Sequence, residues 1–148
     1  MTSKEKAILN IMQEGIPVTQ RPYKAIGKKL GMTETEVYEL FEGLKDKGLI
    51  RRFGGIVDIN ALGIRSTLVG LKVSSGHVSC VAEKLCQYEG VTHNYERDDA
   101  YNLWFTFMAS SKEEIDAVLN DIQGLEGVEE LLNLPSKKKF KTKVVFKF

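Results

Sequence analysis

The sequence has little that would take the chain into or across a membrane. No run approaches the roughly 18 consecutive apolar residues of a membrane span, and Met1 to Gly15 contains no basic stretch followed by an apolar core of the secretory kind. The chain therefore reads as cytoplasmic. Nor is there an excess of charge of one sign. Lys and Arg number 21 against 20 Asp and Glu, a formal net charge of +1, so any contact with nucleic acid has to come from a local patch. Cysteine is scarce: Cys80 and Cys86 lie six apart in a segment that reads as one helix, which suits neither a disulfide nor a metal site. They are expected to be small buried or half-buried side chains. The only histidines are His77 and His93, and no internal repeat or low-complexity segment stands out apart from a lysine-rich C-terminus.

What is present is enough for one ordinary hydrophobic core or two small ones, with 148 residues of which 43% are hydrophobic. Ala7, Ile8, Ile11 and Met12 recur at helical spacing, and Gly15-Ile16-Pro17 stops that helix because proline has no amide hydrogen and a fixed φ. A second helix opens near Pro22, carries Tyr23, Ile26 and Leu30 on one face, and ends at Gly31. Thr33 and Glu36 form a capping box for a third, which turns Val37, Leu40, Phe41 and Leu44 inward and ends at Gly48. Two helices joined by Gly31-Met32-Thr33 make a helix-turn-helix, and Leu49 to Asp58 is expected to add a two-stranded wing.

Beyond Asn60 to Ile64 the period of the pattern changes. Thr67 to Val73 reads as a strand, His77 to Tyr88 as a helix, Val91 to Arg97 and Tyr101 to Ala109 as strands, Lys112 to Ile122 as a helix, and Leu131 onward as extended chain. The order β-α-β-β-α-β is that of a ferredoxin-like domain. The expected fold is therefore α+β: a winged helix-turn-helix over 1–60 and a ferredoxin-like domain over 61–148. That layout resembles the Lrp/AsnC proteins.

A helix that reads DNA approaches a polyanion, so its exposed positions should be basic or neutral. The third helix instead carries Glu34, Glu36, Glu39, Glu42 and Asp46 against Lys45 and Lys47. Capping and the helix dipole account for the first two acids but not for Glu39 and Glu42. Sequence-specific DNA binding is not expected, although Lys24, Lys28 and Lys29 with Arg51 and Arg52 remain as cations for weak phosphate contact.

The residues with chemistry lie in Val91 to Arg97, where alternation puts His93, Tyr95 and Arg97 on one face and Thr92, Asn94 and Glu96 on the other. The following strand brings Trp104 and the phenylalanines alongside. A histidine, a tyrosine and an arginine beside broad aromatic surfaces suit a flat ligand bearing carboxylates: guanidinium forks onto acids, rings stack, and imidazole moves protons or binds iron. Ordinary surface hydrogen bonding by His93, and sheet core for Trp104, are the alternatives on pattern alone. His77, at a helix start, reads as structural. The run Lys137 to Phe148 partly alternates lysine with apolar residues, which fits an edge strand guarded by charge or, alternatively, cations for a ligand's acid groups.

Gly48-Leu49-Ile50-Arg51-Arg52-Phe53-Gly54-Gly55, Asn60-Ala61-Leu62-Gly63, Val91-Thr92-His93-Asn94-Tyr95-Glu96-Arg97, Tyr101-Asn102-Leu103-Trp104 and Leu134-Pro135 together resemble the siroheme decarboxylases of alternative haem and haem d1 biosynthesis. The likeness covers nearly the whole chain, its most specific parts being the Arg-Arg-Phe-Gly stretch and His-x-Tyr-x-Arg followed by Tyr-Asn-Leu. It implies removal of carbon dioxide from acetate side chains of siroheme to give didecarboxysiroheme, by a subunit paired with a paralogous chain. It further implies His93, Tyr95 and Arg97 as catalytic residues, His93 being either the proton donor or an axial iron ligand. Arg51, Arg52, Tyr101, Asn102 and Trp104 would bind substrate, and no cofactor is implied beyond the iron tetrapyrrole itself. A DNA-binding regulator and a noncatalytic tetrapyrrole-binding partner are the competing readings.

Overall fold

The computed structural model describes all 148 residues, which fall into two compact units: Met1–Gly55 with Lys141–Phe148, and Ile56–Phe140. No helix is long and apolar enough to cross a membrane.

The first unit is built on α1 (Ser3–Glu14), α2 (Pro22–Leu30) and α3 (Glu34–Asp46). Capping boxes start two of them: Thr2 with Glu5 on α1, and Thr33 with Glu36 on α3, each hydroxyl accepting from the third amide while the glutamate accepts from the cap. Ile8, Leu9, Ile26, Val37 and Leu44 form the core. The turn between α2 and α3 is tight enough that a Cβ on Gly27 would lie 2.5 Å from the Met32 carbonyl oxygen, while Met32 N–H donates to the Gly27 carbonyl at 2.9 Å. The helix-turn-helix expected from sequence is therefore present.

Two expectations for this unit are corrected. Leu49 to Asp58 forms no paired strands. A lone two-stranded ribbon is marginal, and Gly54-Gly55 adds backbone entropy without side chains to pack across it. The C-terminal run does not form an edge strand either, since the last strand stops at Pro135, which cannot donate to a ladder. Residues 141–148 group with the helices. Gln13 exchanges hydrogen bonds with the Phe146 backbone, accepting its N–H at 2.7 Å, and Asn10 accepts the Phe148 N–H at 3.2 Å.

The second unit follows the order β1 (Arg65–Val73), α4 (Val78–Leu85), β2 (Val91–Glu96), β3 (Leu103–Ala109), α5 (Lys112–Gln123) and β4 (Val128–Pro135). Its antiparallel sheet has the strand order β2-β3-β1-β4, the ferredoxin-like arrangement. Strict alternation in β3 turns Leu103, Phe105, Phe107 and Ala109 inward. They pack with Val69, Leu71 and Val73 of β1, Val78, Val81 and Leu85 of α4, and Ile115, Leu119 and Ile122 of α5. The helices thus take one face of the sheet and leave the other open.

Here the cysteine expectation is also corrected. Because α4 buries Val78, Val81 and Leu85, Cys80 falls off its inward stripe and Cys86 lies at its C-cap, and both are exposed free thiols.

Candidate functional site

The site begins with an irregularity in β2. Val91 pairs with Phe107 and packs against the core, yet His93 pairs with Thr106, so the register slips by one residue at Thr92. A strict period of two would have put Val91 and His93 on the same face. The bulge lets the valine face inward and the histidine outward. From there the alternation predicted from sequence holds. Tyr95 pairs with Trp104 on the outer face, while Asn94 turns inward and donates to the Ala82 carbonyl of α4 at 2.9 Å.

These residues surround an open depression of about 710 Å³ lined by His93 and Tyr95 of β2, Arg97, Asp98 and Asp99 just beyond it, Trp104, Phe105 and Thr106 of β3, and Leu68 of β1. The His93 and Tyr95 rings lie 6.1 Å apart, and the Arg97 guanidinium carbon sits 5.0 Å from the Tyr95 ring centroid, a cation–π spacing. Arg97 Nη1 donates to the Glu96 carbonyl at 3.0 Å. This single bond leaves most of the guanidinium fork for an acid group. His93 Nδ1 lies 3.1 Å from the Thr92 hydroxyl, and its Nε2 makes no hydrogen bond within the chain. The aspartates put negative charge beside Arg97, so a carboxylate entering the depression is drawn to one part of it and repelled from another.

The remaining residues expected in the site separate. Arg51 and Arg52 are exposed residues of the helical unit, whereas the depression belongs to the sheet unit. Tyr101 has its ring 6.4 Å from Trp104, but its hydroxyl donates to Glu130 Oε2 at 2.8 Å, and Glu130 in turn accepts from Lys72 at 3.2 Å. The bond to a carboxylate holds the Tyr101 phenol above its ordinary pKa, since the neutral form is the one that donates. Asn102 is committed at both ends: Nδ2 donates to the Val73 carbonyl at 2.7 Å and Oδ1 accepts the Val73 N–H at 3.0 Å. It is a clamp between β1 and the start of β3, with both amide atoms engaged by the Val73 backbone. His77 is structural, as expected, with Nδ1 2.9 Å from the Ser74 hydroxyl and Nε2 3.7 Å from Glu126.

Leu68 and Thr106 were not singled out by sequence reasoning. Their only signal is register, because both pair across β1 and β3 on the face that carries His93 and Tyr95. No group of three or more His, Cys, Asp or Glu side chains is placed to hold a metal ion.

Comparison with known proteins gives a consistent result. Residues 61–141 match the model of the AsnC-like ligand binding domain, and residues 5–51 match that of the siroheme decarboxylase NirDL-like HTH domain. The chain is 40% identical to the siroheme decarboxylase alpha subunit of Desulfovibrio desulfuricans over 99% of its own length and 84% of the relative's. In Pseudomonas aeruginosa it resembles two different chains: the siroheme decarboxylase NirD subunit, at 34% identity over 88% of this chain and 87% of that one, and the NirG subunit, at 30% over 91% of each. Among solved structures, that of the siroheme decarboxylase NirDL superposes with a TM-score of 0.79 at 29% identity, covering 99% of this chain and 48% of that one. This chain therefore spans about half the length of that solved relative, which is also known in complex with an iron-uroporphyrin III analogue.

Proposed function

Since the chain belongs to the siroheme decarboxylase family, we propose that it is a subunit of a carbon-carbon lyase that removes carbon dioxide from acetate side chains of siroheme to give didecarboxysiroheme. The observation that carries this reading is the shared outer face of the sheet. His93, Tyr95, Arg97 and Trp104 border one open depression that sets aromatic rings beside an arginine. A flat macrocycle ringed with carboxylates is complementary to that combination.

In the proposed reaction each acetate side chain, –CH2–COO⁻, loses carbon dioxide and gains one proton to become a methyl group. The electron pair of the broken C–C bond passes into the conjugated ring and returns to the exocyclic carbon as the proton arrives. Arg97 holds a carboxylate of the substrate, and Tyr95 supports the guanidinium from below. Asp98 and Asp99 disfavour an acid group beside them and so bias how the macrocycle seats. His93 meets the substrate through the free Nε2, either giving the proton or occupying an axial position on the iron. One axial histidine suffices for the second role, because the macrocycle supplies the in-plane nitrogens. The iron enters with the substrate, and the proposal includes no resident cofactor.

A paralogous second subunit belongs to the proposal. Two distinct relatives in one organism bear NirD and NirG subunit names, and this chain spans about half of NirDL. Sequence-specific DNA is not a proposed partner. On α3, Glu34 is paired with Arg21, Glu36 with Lys4 at 3.1 Å and Glu42 with Lys45 at 3.2 Å, so nearby cations are spent on the helix's own acids. A cytoplasmic location fits the free, exposed thiols of Cys80 and Cys86.

The test is to co-express the chain with its paralogue, incubate the complex anaerobically with siroheme, and follow product mass and absorbance, with the isolated chain in parallel. Loss of two carbon dioxides is the expected outcome, and the parallel sample shows whether the partner is required. An altered tetrapyrrole spectrum without mass change would reduce the assignment to a binding subunit, and no change in either would overturn it.

A further inference from the structure

One glycine in β1 shapes the outer face. Gly70 pairs with Trp104 across β1 and β3 and is buried, although it lies on the face away from the helices. Its cover is the indole. A Cβ built on Gly70 would lie 3.0 Å from Cη2, 3.1 Å from Cζ3 and 3.2 Å from Cζ2 of Trp104. An edge-on approach would leave the two flanking atoms much farther away than the central one. Near-equal distances to three consecutive atoms mean that the ring presents its face to the glycine. The other end of the indole is fixed by Nε1–H, which donates to the Tyr101 carbonyl at 2.6 Å. The ring is thus pinned flat in a notch that any side chain at position 70 would fill, beside Tyr95, its partner on β2.

We infer that Gly70 is a positioning residue for substrate: by letting the Trp104 indole lie flat on the sheet, it makes the indole's outer surface a stacking floor for a planar tetrapyrrole. The inference rests on the proposed siroheme reading for the identity of the ligand, but the notch itself does not. A Cβ at this distance must push the ring by a few tenths of an ångström, and a branched side chain must lift or tilt it. Offset stacking needs parallel planes, so a tilted indole loses contact area with a flat ligand without losing its own hydrophobicity.

Trp104 is the only tryptophan in the chain, so its emission and near-ultraviolet circular dichroism report this ring alone. Siroheme binding is read separately, by anaerobic titration of the tetrapyrrole absorbance. Gly70→Ala and Gly70→Val are expected to change the tryptophan signals of the ligand-free protein in that order, with far-ultraviolet dichroism retained. With the chain in complex with its paralogue, the siroheme Kd should rise by roughly threefold to tenfold, the range available to one aromatic stack. In a Trp104→Leu background, Gly70→Ala should add almost nothing to the Kd. Unchanged tryptophan signals in Gly70→Val would overturn the notch. Altered signals with unchanged siroheme affinity would overturn the floor alone, while a wild-type complex with the paralogue that does not take up siroheme would overturn the floor together with the reading it rests on. If Gly70→Val does not fold, Gly70→Ala and the double variant decide the matter by the same criteria.

Discussion

Replacing Asn102 by alanine tests whether that side chain serves the fold or the ligand. In an antiparallel strand the N–H and C=O of one residue point to the same neighbour. The pairing of β1 with β3 ends at Leu71 and Leu103, so the Val73 backbone lacks a strand partner on that side and the Asn102 amide fills the slot, at 3.0 and 2.7 Å. Each bond is worth about 1 kcal/mol net, and a buried backbone group left unsatisfied costs about 1–3 kcal/mol. The loss in Asn102→Ala should therefore be about 2–3 kcal/mol. At roughly 4–8 °C per kcal/mol for a domain of this size, thermal unfolding of the sheet unit, followed by circular dichroism, should move down by roughly 10–20 °C. Asn102→Asp should be no better, because it keeps an acceptor for the Val73 N–H but sets a carboxylate oxygen against the Val73 carbonyl. Below the unfolding transition, siroheme affinity should change little. An unmoved melting temperature with a large loss of siroheme affinity would refute the clamp and return Asn102 to substrate binding.

Other outcomes follow from the same geometry. His93→Ala should abolish decarboxylation or alter the spectrum of the bound iron tetrapyrrole, and an unchanged rate and spectrum would remove the histidine from the mechanism. Arg97→Ala should weaken siroheme binding by about 1–3 kcal/mol, the scale of a lost charged hydrogen bond, so equal affinity in a titration would contradict the carboxylate contact. Glu5, which accepts from Lys47 and from the Thr2 backbone, is held at about 2, below its ordinary 4.5. A depressed folded-state pKa stabilises the fold above the unfolded value and loses that contribution as pH falls, here across the window from about 4.5 to about 2. Chemical denaturation of Glu5→Gln across that window should show a flatter pH dependence than the parent, and parallel curves would contradict the assignment.

Much of the scaffold was legible because its signals are local. The α3 capping box, the stop at Gly31 and the alternation of β3 all appear in the structure where sequence spacing puts them. What failed depended on partners distant in sequence. The wing had strand-like residues but no established neighbour to pair with. The lysine-rich tail had an alternating pattern, yet its backbone partners are two side-chain amides of α1, which no periodicity announces. Cys80 is exposed because the inward stripe of α4 runs through Val78, Val81 and Leu85, which only its packing against the sheet selects.

By itself, then, the sequence determined the order of the five helices and of the four sheet strands, the acidic character of α3, and the grouping of His93, Tyr95 and Arg97, since these follow from periods of 3.6 and 2 along the chain. The tertiary structure decided which face of the sheet they occupy and what stands beside them. The Thr92 bulge turns His93 away from Val91, and cross-strand register brings Leu68 and Thr106 to it. Asn102 and Tyr101 are drawn off to Val73 and Glu130. Each outcome is a competition among partners far apart in sequence for the same hydrogen bonds and the same buried volume, and that competition is settled only when the strands pair.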